Sequence, residues 1–293
     1  MSVIKEYKTK FFGGHLNVET YHSAQEIADD LLSRNRTDSR FKADEYNDRS
    51  FVGATRDETY RMLREGYQPV VDALKKKVRV GVVGKRFKRY DDVAGFQPIV
   101  PNAILGLPKS MINSSMMPMK QKVMDIYYEM TCSCSTDSDD LIKAGQKMLG
   151  VIMELEAKGY RFNLFVTQGY YDSNNGCDML CLKVKNASQP MDLKRMSFPI
   201  AHTAFFRGLG FEWYSKFPKG TYRSGYGHAI SYSHNQEEIQ EEYRKHFGSN
   251  VIYFAAKTII EKKDEAEDYI KEVLTAGEPM GKKPKKKKEE EPF

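Results

Sequence analysis

The chain has 293 residues, of which 40% are apolar and 29% charged, and its formal net charge is +6. These proportions are ordinary for a soluble globular protein, and a chain of this length buries enough core to need no disulfide bridges. No run approaches the ~18 consecutive apolar residues of a membrane-spanning helix, and the first residues lack the apolar core of a signal peptide. Four cysteines in such a chain predict reduced thiols in a cytoplasm.

Residues 1–120 are predicted to form an N-terminal helical module with extended segments and a long loop. A strand-like "EYKTKFFG" comes first. Ser23 and Glu26 have the spacing of a helix N-terminal capping box, and Thr55 and Glu58 repeat it. Gly66 is placed to end the second of these helices.

A long segment from Tyr90 to Met119 contains prolines and glycines that argue against long regular elements. Loops of this length are unusual inside compact domains. We therefore expect the segment to drape over the core or to hold a partner. Its methionines suit an adaptable apolar contact, although packing beneath the loop explains them equally well.

Positive charge is concentrated in two places. The last twelve residues, "KKPKKKKEEEPF", hold six lysines and three glutamates, so residues 278–293 are predicted to be a disordered charged tail. A second block is free of acids and could contact nucleic acid or another polyanion, or could be a solvated face. Its cations are Lys75, Lys76, Lys77, Arg79, Lys85, Arg86, Lys88 and Arg89.

Residues 121–277 are predicted to form the principal domain. The strand "KVMDIYYEMTCS" leads into a long helix with apolar residues at three- and four-residue steps. Asp137 or Ser138 can cap its start, and Gly159 fits its C-terminal end. The strand "YRFNLFVT" follows, which makes a βαβ unit with parallel strands. After the turn "YYDSNNGCD", a reversed third strand is expected at the border of the sheet. The predicted fold class is α/β, with a mostly parallel sheet, an antiparallel edge strand and helices on both faces.

This order of elements resembles a von Willebrand factor A domain, in which the first strand ends in a D-x-S-x-S motif that binds a divalent cation. The chain has E-x-T-x-S at the matching place, formed by Glu129, Thr131 and Ser133. The resemblance implies a degenerate Mg²⁺ site there, because Glu is longer than Asp and further ligands cannot be assigned. No other cofactor is expected.

The same stretch has two other interpretations. Alternation along a strand places Asp125, Tyr127 and Glu129 on one face, which a half-exposed strand would also do without any metal. Zinc could use four thiolates, although neither cysteine spacing is the usual C-x₂-C and the second strand would separate the two pairs. Those cysteines are Cys132, Cys134, Cys177 and Cys181.

A second resemblance covers roughly residues 49–211. The stretches "RSFVGATRDETYRMLREGY", "VPNAILGLPKSM" and "QPMDLKRMSFPIAHTAFFRGLGF" look like an uncharacterised family encoded mainly by tailed phages and prophages. It implies a phage setting, a bacterial cytoplasm and possible association with the virion. It implies no activity.

Three functions remain after these observations. The first is a non-catalytic interaction protein that binds a phage or host protein through the strand-end face and the long loop. The second is a nucleic-acid-binding accessory protein that uses residues 75–89 and the tail. The third is a metal- or histidine-dependent nuclease using His228 and His234, although no G-x-S-x-G, Walker or Rossmann motif is present. We expect the first, with no membrane partner.

Overall fold

The computed structural model describes residues 2–35, 48–77, 87–116, 123–219 and 228–276. Its strands are β1 (Val3–Thr9), β2 (Gly14–Tyr21), β3 (Phe87–Asp92), β4 (Gln97–Pro98), β5 (Met111–Met116), β6 (Val123–Glu129), β7 (Arg161–Asp172), β8 (Gly176–Lys185) and β9 (Val251–Ala255). Its α-helices are α1 (Ala24–Ser33), α2 (Arg49–Val52), α3 (Arg56–Glu65), α4 (Gln68–Lys77), α5 (Val100–Ile104), α6 (Ser138–Ala157), α7 (Leu193–Ala201), α8 (Phe211–Lys216), α9 (Ile230–Ser233), α10 (Gln236–Phe247), α11 (Ala256–Glu261) and α12 (Ala266–Thr275).

Six strands form one sheet in the order β1-β2-β8-β7-β6-β9. The pairs β2–β8, β7–β6 and β6–β9 are parallel, whereas β1–β2 and β7–β8 are antiparallel. The predicted α/β class with a mostly parallel sheet is confirmed. The third strand of the βαβ region, β8, is reversed as expected. However, it is not the border of the sheet, because β2 pairs with it and β1 supplies the antiparallel edge.

The crossover β6-α6-β7 follows from local sequence signals. Asp137 accepts a hydrogen bond from the Asp139 N–H and so caps the start of α6. Gly159 follows the helix end with φ +100°, a conformation that glycine adopts without a Cβ penalty. No helix of the described residues, α6 included, is long and apolar enough to cross a membrane.

Both faces of the sheet are covered. In β6, Ile126 and Tyr128 point into a core shared with α1, α3, α6, α7 and α12, while Tyr127 points into a second core with α10. This confirms the predicted alternation of side chains. The strand is not half-exposed, because α9 and α10 cover the face that carries Glu129, whose exposure is 0%.

The sheet continues across the predicted domain boundary at residue 120. Strands β1 and β2 belong to the same sheet as residues 123–255. Inside β2, Glu19 is fully buried and accepts hydrogen bonds from the guanidinium of Arg34 and from the indole N–H of Trp213. The Trp213 contact ties β2 to α8, which follows α7 along the chain.

The long segment predicted to lack regular structure contains short elements instead. Strands β3, β4 and β5 form a separate three-stranded antiparallel sheet, and α5 lies between β4 and β5. We refer to residues 87–116 as the arm. The element lengths agree with the prolines and glycines of the segment, because these residues interrupt regular hydrogen bonding.

The segment after β8 is helical, and it is interrupted three residues after Pro199. That proline lies inside α7, and the chain becomes extended at His202 before a π-helix, Ala204–Gly210, that runs into α8. Gln168 of β7 donates to the Phe205 carbonyl across 2.8 Å, which satisfies one backbone group of the π-helix. Short π-helices of this kind often occur at functional sites.

Candidate functional site

Glu129 ends β6 and is held in a buried polar cluster rather than in an open site. Its Oε2 accepts from the Tyr253 hydroxyl across 2.5 Å, and its Oε1 accepts from the Ile230 N–H across 3.1 Å. Burial raises the pKa of the Glu129 carboxyl, because the surroundings disfavour the charged form. The carboxylate therefore links β6 to β9 and to the beginning of α9.

The other two predicted ligands have separate partners. Thr131 is buried, and its hydroxyl accepts from the Gly169 N–H across 3.0 Å. The hydroxyl of Ser133 lies 2.9 Å from that of Ser135. Within the described ranges, no three His, Cys, Asp or Glu side chains are grouped so that they could hold a metal ion. Mg²⁺ binding at the E-x-T-x-S stretch stays a prediction.

The loop after β6 is fixed by Arg207, a residue that the sequence patterns did not single out. Its guanidinium donates to the carbonyls of Thr136, Ser133 and Cys134, and also to the Phe51 carbonyl. Arg207 is 3% exposed, and burial lowers its pKa. A buried guanidinium with backbone acceptors fixes a loop firmly, because each lost donor would leave a carbonyl unsatisfied.

Tyr232 adds an exposed aromatic ring to this loop. The Ser133 N–H donates to its hydroxyl across 3.3 Å, and the Lys257 ammonium lies 4.1 Å from its ring centre. We refer to the loop 131–137 together with Tyr232 as the strand-end face. Hydrogen bonds from Arg207 hold its base, and it presents small hydroxyl groups, an exposed Cys134 thiol and an aromatic ring.

The cysteines occupy two distant places in the sheet. Cys177 and Cys181 lie on β8 and are buried, while Cys132 and Cys134 follow β6. Strand β7 lies between β6 and β8, as the sequence order predicted. None of the four cysteines forms a disulfide.

Only part of the basic block falls within the described residues. Lys75 and Lys76 are exposed at the end of α4, and Lys77 is the last residue of that helix. Lys88 and Arg89 are residues of strand β3. Three cations of the block, Arg79, Lys85 and Arg86, lie outside the described residues, as does the predicted tail beyond residue 276.

The histidines have mainly structural surroundings. His202 is buried, its Nδ1 accepts from the Ala204 N–H, and burial lowers its pKa to about 4. His234 packs against Phe11 and Tyr171, and burial lowers its pKa as well. His228 is exposed and pairs with β7 through its backbone. The nuclease hypothesis stays a prediction.

The arm carries most of the large apolar side chains that the described residues leave exposed. Seven of the eleven such residues lie in it, so the apolar exposure is local and not spread over the surface. Ile104 is 79% exposed and Leu105 is 72% exposed. The seven are Tyr90, Val93, Phe96, Val100, Ile104, Leu105 and Leu107.

A protein-family model described as "Domain of unknown function (DUF7192)" matches residues 5–278. The chain belongs to this family. The DUF7192 match includes both sheets apart from the first two residues of β1, and it ends close to the start of the lysine-rich C-terminal segment. No curated protein and no solved structure matches this DUF7192 chain.

Proposed function

We propose that the protein is a non-catalytic interaction protein that binds a protein partner through the arm, with the strand-end face as a second contact. The observation that supports this proposal is the exposure of apolar side chains on the arm. None of the residues of α5, Val100–Ile104, is buried. Contiguous exposed apolar surface in a folded protein marks sites where another surface docks.

The energetics of the arm favour a protein partner. Covering one large aliphatic or aromatic side chain contributes about 1.5–3 kcal/mol before ordering costs are subtracted. Covering Ile104, Leu105 and Val93 together would contribute about 4.5–9 kcal/mol on this scale before those costs. Ile104 and Leu105 lie at the end of α5 and directly after it. A β-hairpin with a helical turn is suited to entering a groove on a partner.

The partner we propose is a phage or host protein in a bacterial cytoplasm, and an association with the virion fits the same setting. The supporting observations are the sequence resemblance to phage-encoded proteins and the strand order β8-β7-β6-β9 with β8 reversed. That order agrees with the resemblance to an A-type domain, a fold in which the strand ends present a binding face.

The test is affinity purification of the full chain from infected or lysogenic cells, with and without nuclease treatment. The arm variant is Ile104→Ser/Leu105→Ser. The matched control is Leu32→Ser, which changes an exposed leucine on α1 that is 51% exposed. We expect a nuclease-resistant partner with the wild type and with L32S, and at least about a tenfold loss with the arm variant, which corresponds to ~1.4 kcal/mol. Equal recovery with the arm variant would overturn the proposal.

Nucleic-acid binding is the second candidate, because Lys75 and Lys76 are exposed and form no ion pair within the described part of the chain. Replacing both with Glu should abolish binding to double-stranded DNA or RNA if this function is real. Binding should also weaken steeply with salt, since neutralised phosphates release counterions. Binding that is insensitive to both changes would exclude this role for α4.

A further inference from the structure

Strand β9 forms one border of the six-stranded sheet, and its outward backbone groups are already bonded by side chains. Gln240 of α10 donates to the Val251 carbonyl across 2.8 Å and accepts from the Tyr253 N–H across 2.8 Å. Gln236 donates to the Tyr253 carbonyl across 3.4 Å and also to the Tyr269 hydroxyl. Two glutamines therefore close this edge.

The two hydrogen bonds of Gln240 reproduce those that a parallel neighbouring strand would make with β9. In a parallel pair, one residue donates its N–H to the carbonyl of residue i−1 and accepts from the N–H of residue i+1 on the adjacent strand. The Gln240 carboxamide makes this pair of bonds around Ile252. Beside it lies a cleft of about 620 Å³ with a mixed lining, in which polar and charged side chains accompany the apolar Met124, Val273 and Leu274.

Strand β1, at the opposite border of the sheet, has the direction needed to pair in parallel with β9. Two antiparallel steps, β1–β2 and β8–β7, separate β1 from β9, and the other steps are parallel. Strands β1 and β9 therefore run in the same direction. If copies stack head to tail, β1 of one copy lies parallel to β9 of the next. Among the described strands, β1 pairs with β2 alone.

A lysine on one border can meet acids beside the other. Lys5 is exposed on β1 and lies on the face of the sheet that α10 covers, because Tyr7 of the same face contacts His246 of α10. Helix α10 exposes Glu237 and Glu241. Glu237 lines the cleft beside β9, where Arg244 and Lys262 also lie. In a head-to-tail stack, Lys5 of one copy would approach these acids of the next.

We propose that β9 is a docking edge for β1 of a second copy of this chain, and that Gln236 and Gln240 hold this edge closed. Heterologous contacts of this kind extend into open chains when nothing stops them. The glutamines satisfy the edge internally, as proteins commonly do for exposed border strands. Displacing them converts a self-contained molecule into a unit of a head-to-tail assembly.

The test compares the full-length wild type with Gln236→Ala/Gln240→Ala by sedimentation velocity over a range of concentrations. The matched control is Gln25→Ala/Gln68→Ala, which removes two exposed helical glutamines that, within the described residues, bond to Asp29 and Asp72 of their own helices. We expect the double variant alone to form a ladder of species, with at least about a twofold rise in average mass. Wild type added in excess should shorten the ladder, because its closed β9 edge ends each chain.

A charge reversal identifies the edge that docks. Adding Lys5→Glu to the double variant places like charges together and should reduce the average mass toward that of the wild type. Folding is checked by far-ultraviolet circular dichroism. If the double variant is unfolded, Gln240→Glu replaces it, since a carboxylate still accepts from Tyr253 but cannot donate to Val251. A folded variant of wild-type size, a closed dimer, or a ladder unaffected by Lys5→Glu overturns the proposal.

Discussion

Replacing Gly210 with alanine should destabilise the protein strongly, although the position is helical. A Cβ built at Gly210 overlaps Gln168 Oε1 and lies 2.5 Å from Tyr170 Oη. Gln168 is fully buried and bonds both the Phe205 carbonyl and the Tyr170 hydroxyl, across 2.8 and 3.0 Å. Moving this side chain costs two hydrogen bonds at ~1 kcal/mol each and adds ~1–3 kcal/mol of overpacking. We expect the free energy of unfolding to fall by about 3–5 kcal/mol.

The assay is urea unfolding followed by the fluorescence of Trp213, the single tryptophan, which is fully buried. Gly150 supplies the control, because it lies within α6 and a Cβ there meets only Leu74 Cδ2 at 3.8 Å. Gly150→Ala should leave stability unchanged or raise it by up to about 1 kcal/mol. If Gly210→Ala loses less than ~1 kcal/mol, the packing of Gln168 against the π-helix does not constrain that helix as argued.

Two more predictions concern the buried charged groups. Because burial raises the pKa of Glu129 above 4.5, the folded state binds its proton more tightly, and wild-type stability should fall as pH rises from 4.5 through that raised pKa. The free energy of unfolding of Glu129→Gln, relative to that of the wild type, should therefore rise as pH rises from about 4.5 to about 8. Urea unfolding measures this difference, and a difference that stays constant over the range would refute the prediction. Arg207→Met leaves four carbonyls without their donor and should cost ~2–4 kcal/mol. Arg195→Met, whose guanidinium bonds one exposed carbonyl, should cost under ~1 kcal/mol, and equal losses in the two variants would contradict the account of Arg207.

The parts of the fold that the sequence predicted are those with local signals. The capping box at Thr55 and Glu58 and the cap at Asp137 form as expected, because their partners lie within three residues. The apolar periodicity of residues 138–157 likewise predicts the helix of the crossover from β6 through α6 to β7. These features need no knowledge of distant contacts.

The features that the sequence did not predict depend on contacts between distant residues. Strand β2 carries Asn17 and Glu19, which resemble solvent-facing positions, yet both are buried because Asp178, Arg34 and Trp213 reach them from elsewhere in the chain. No local pattern shows such a pairing.

The candidate site shows the same limit. Glu129 looks like an exposed oxygen ligand in the sequence, but Tyr253, 124 residues later, covers it. Arg207 reads as an ordinary basic residue, since only the folded chain brings the carbonyls of Ser133, Cys134 and Thr136 to it. The sequence predicted the arm only as a long loop. The exposure of its apolar side chains depends on which of them pack against other residues in the folded chain.

The place of β1 and β2 in the main sheet has a practical consequence for anyone who shortens this protein. A fragment starting near residue 121 would lose β2, the strand that pairs with β8. The backbone of Cys177–Leu182 would then be an unpaired sheet edge, and Trp213 would lose its hydrogen bond to Glu19. Such a fragment should be insoluble even though it retains the crossover and the strand-end loop. Truncations should therefore keep β1 and β2 together with the rest of the sheet.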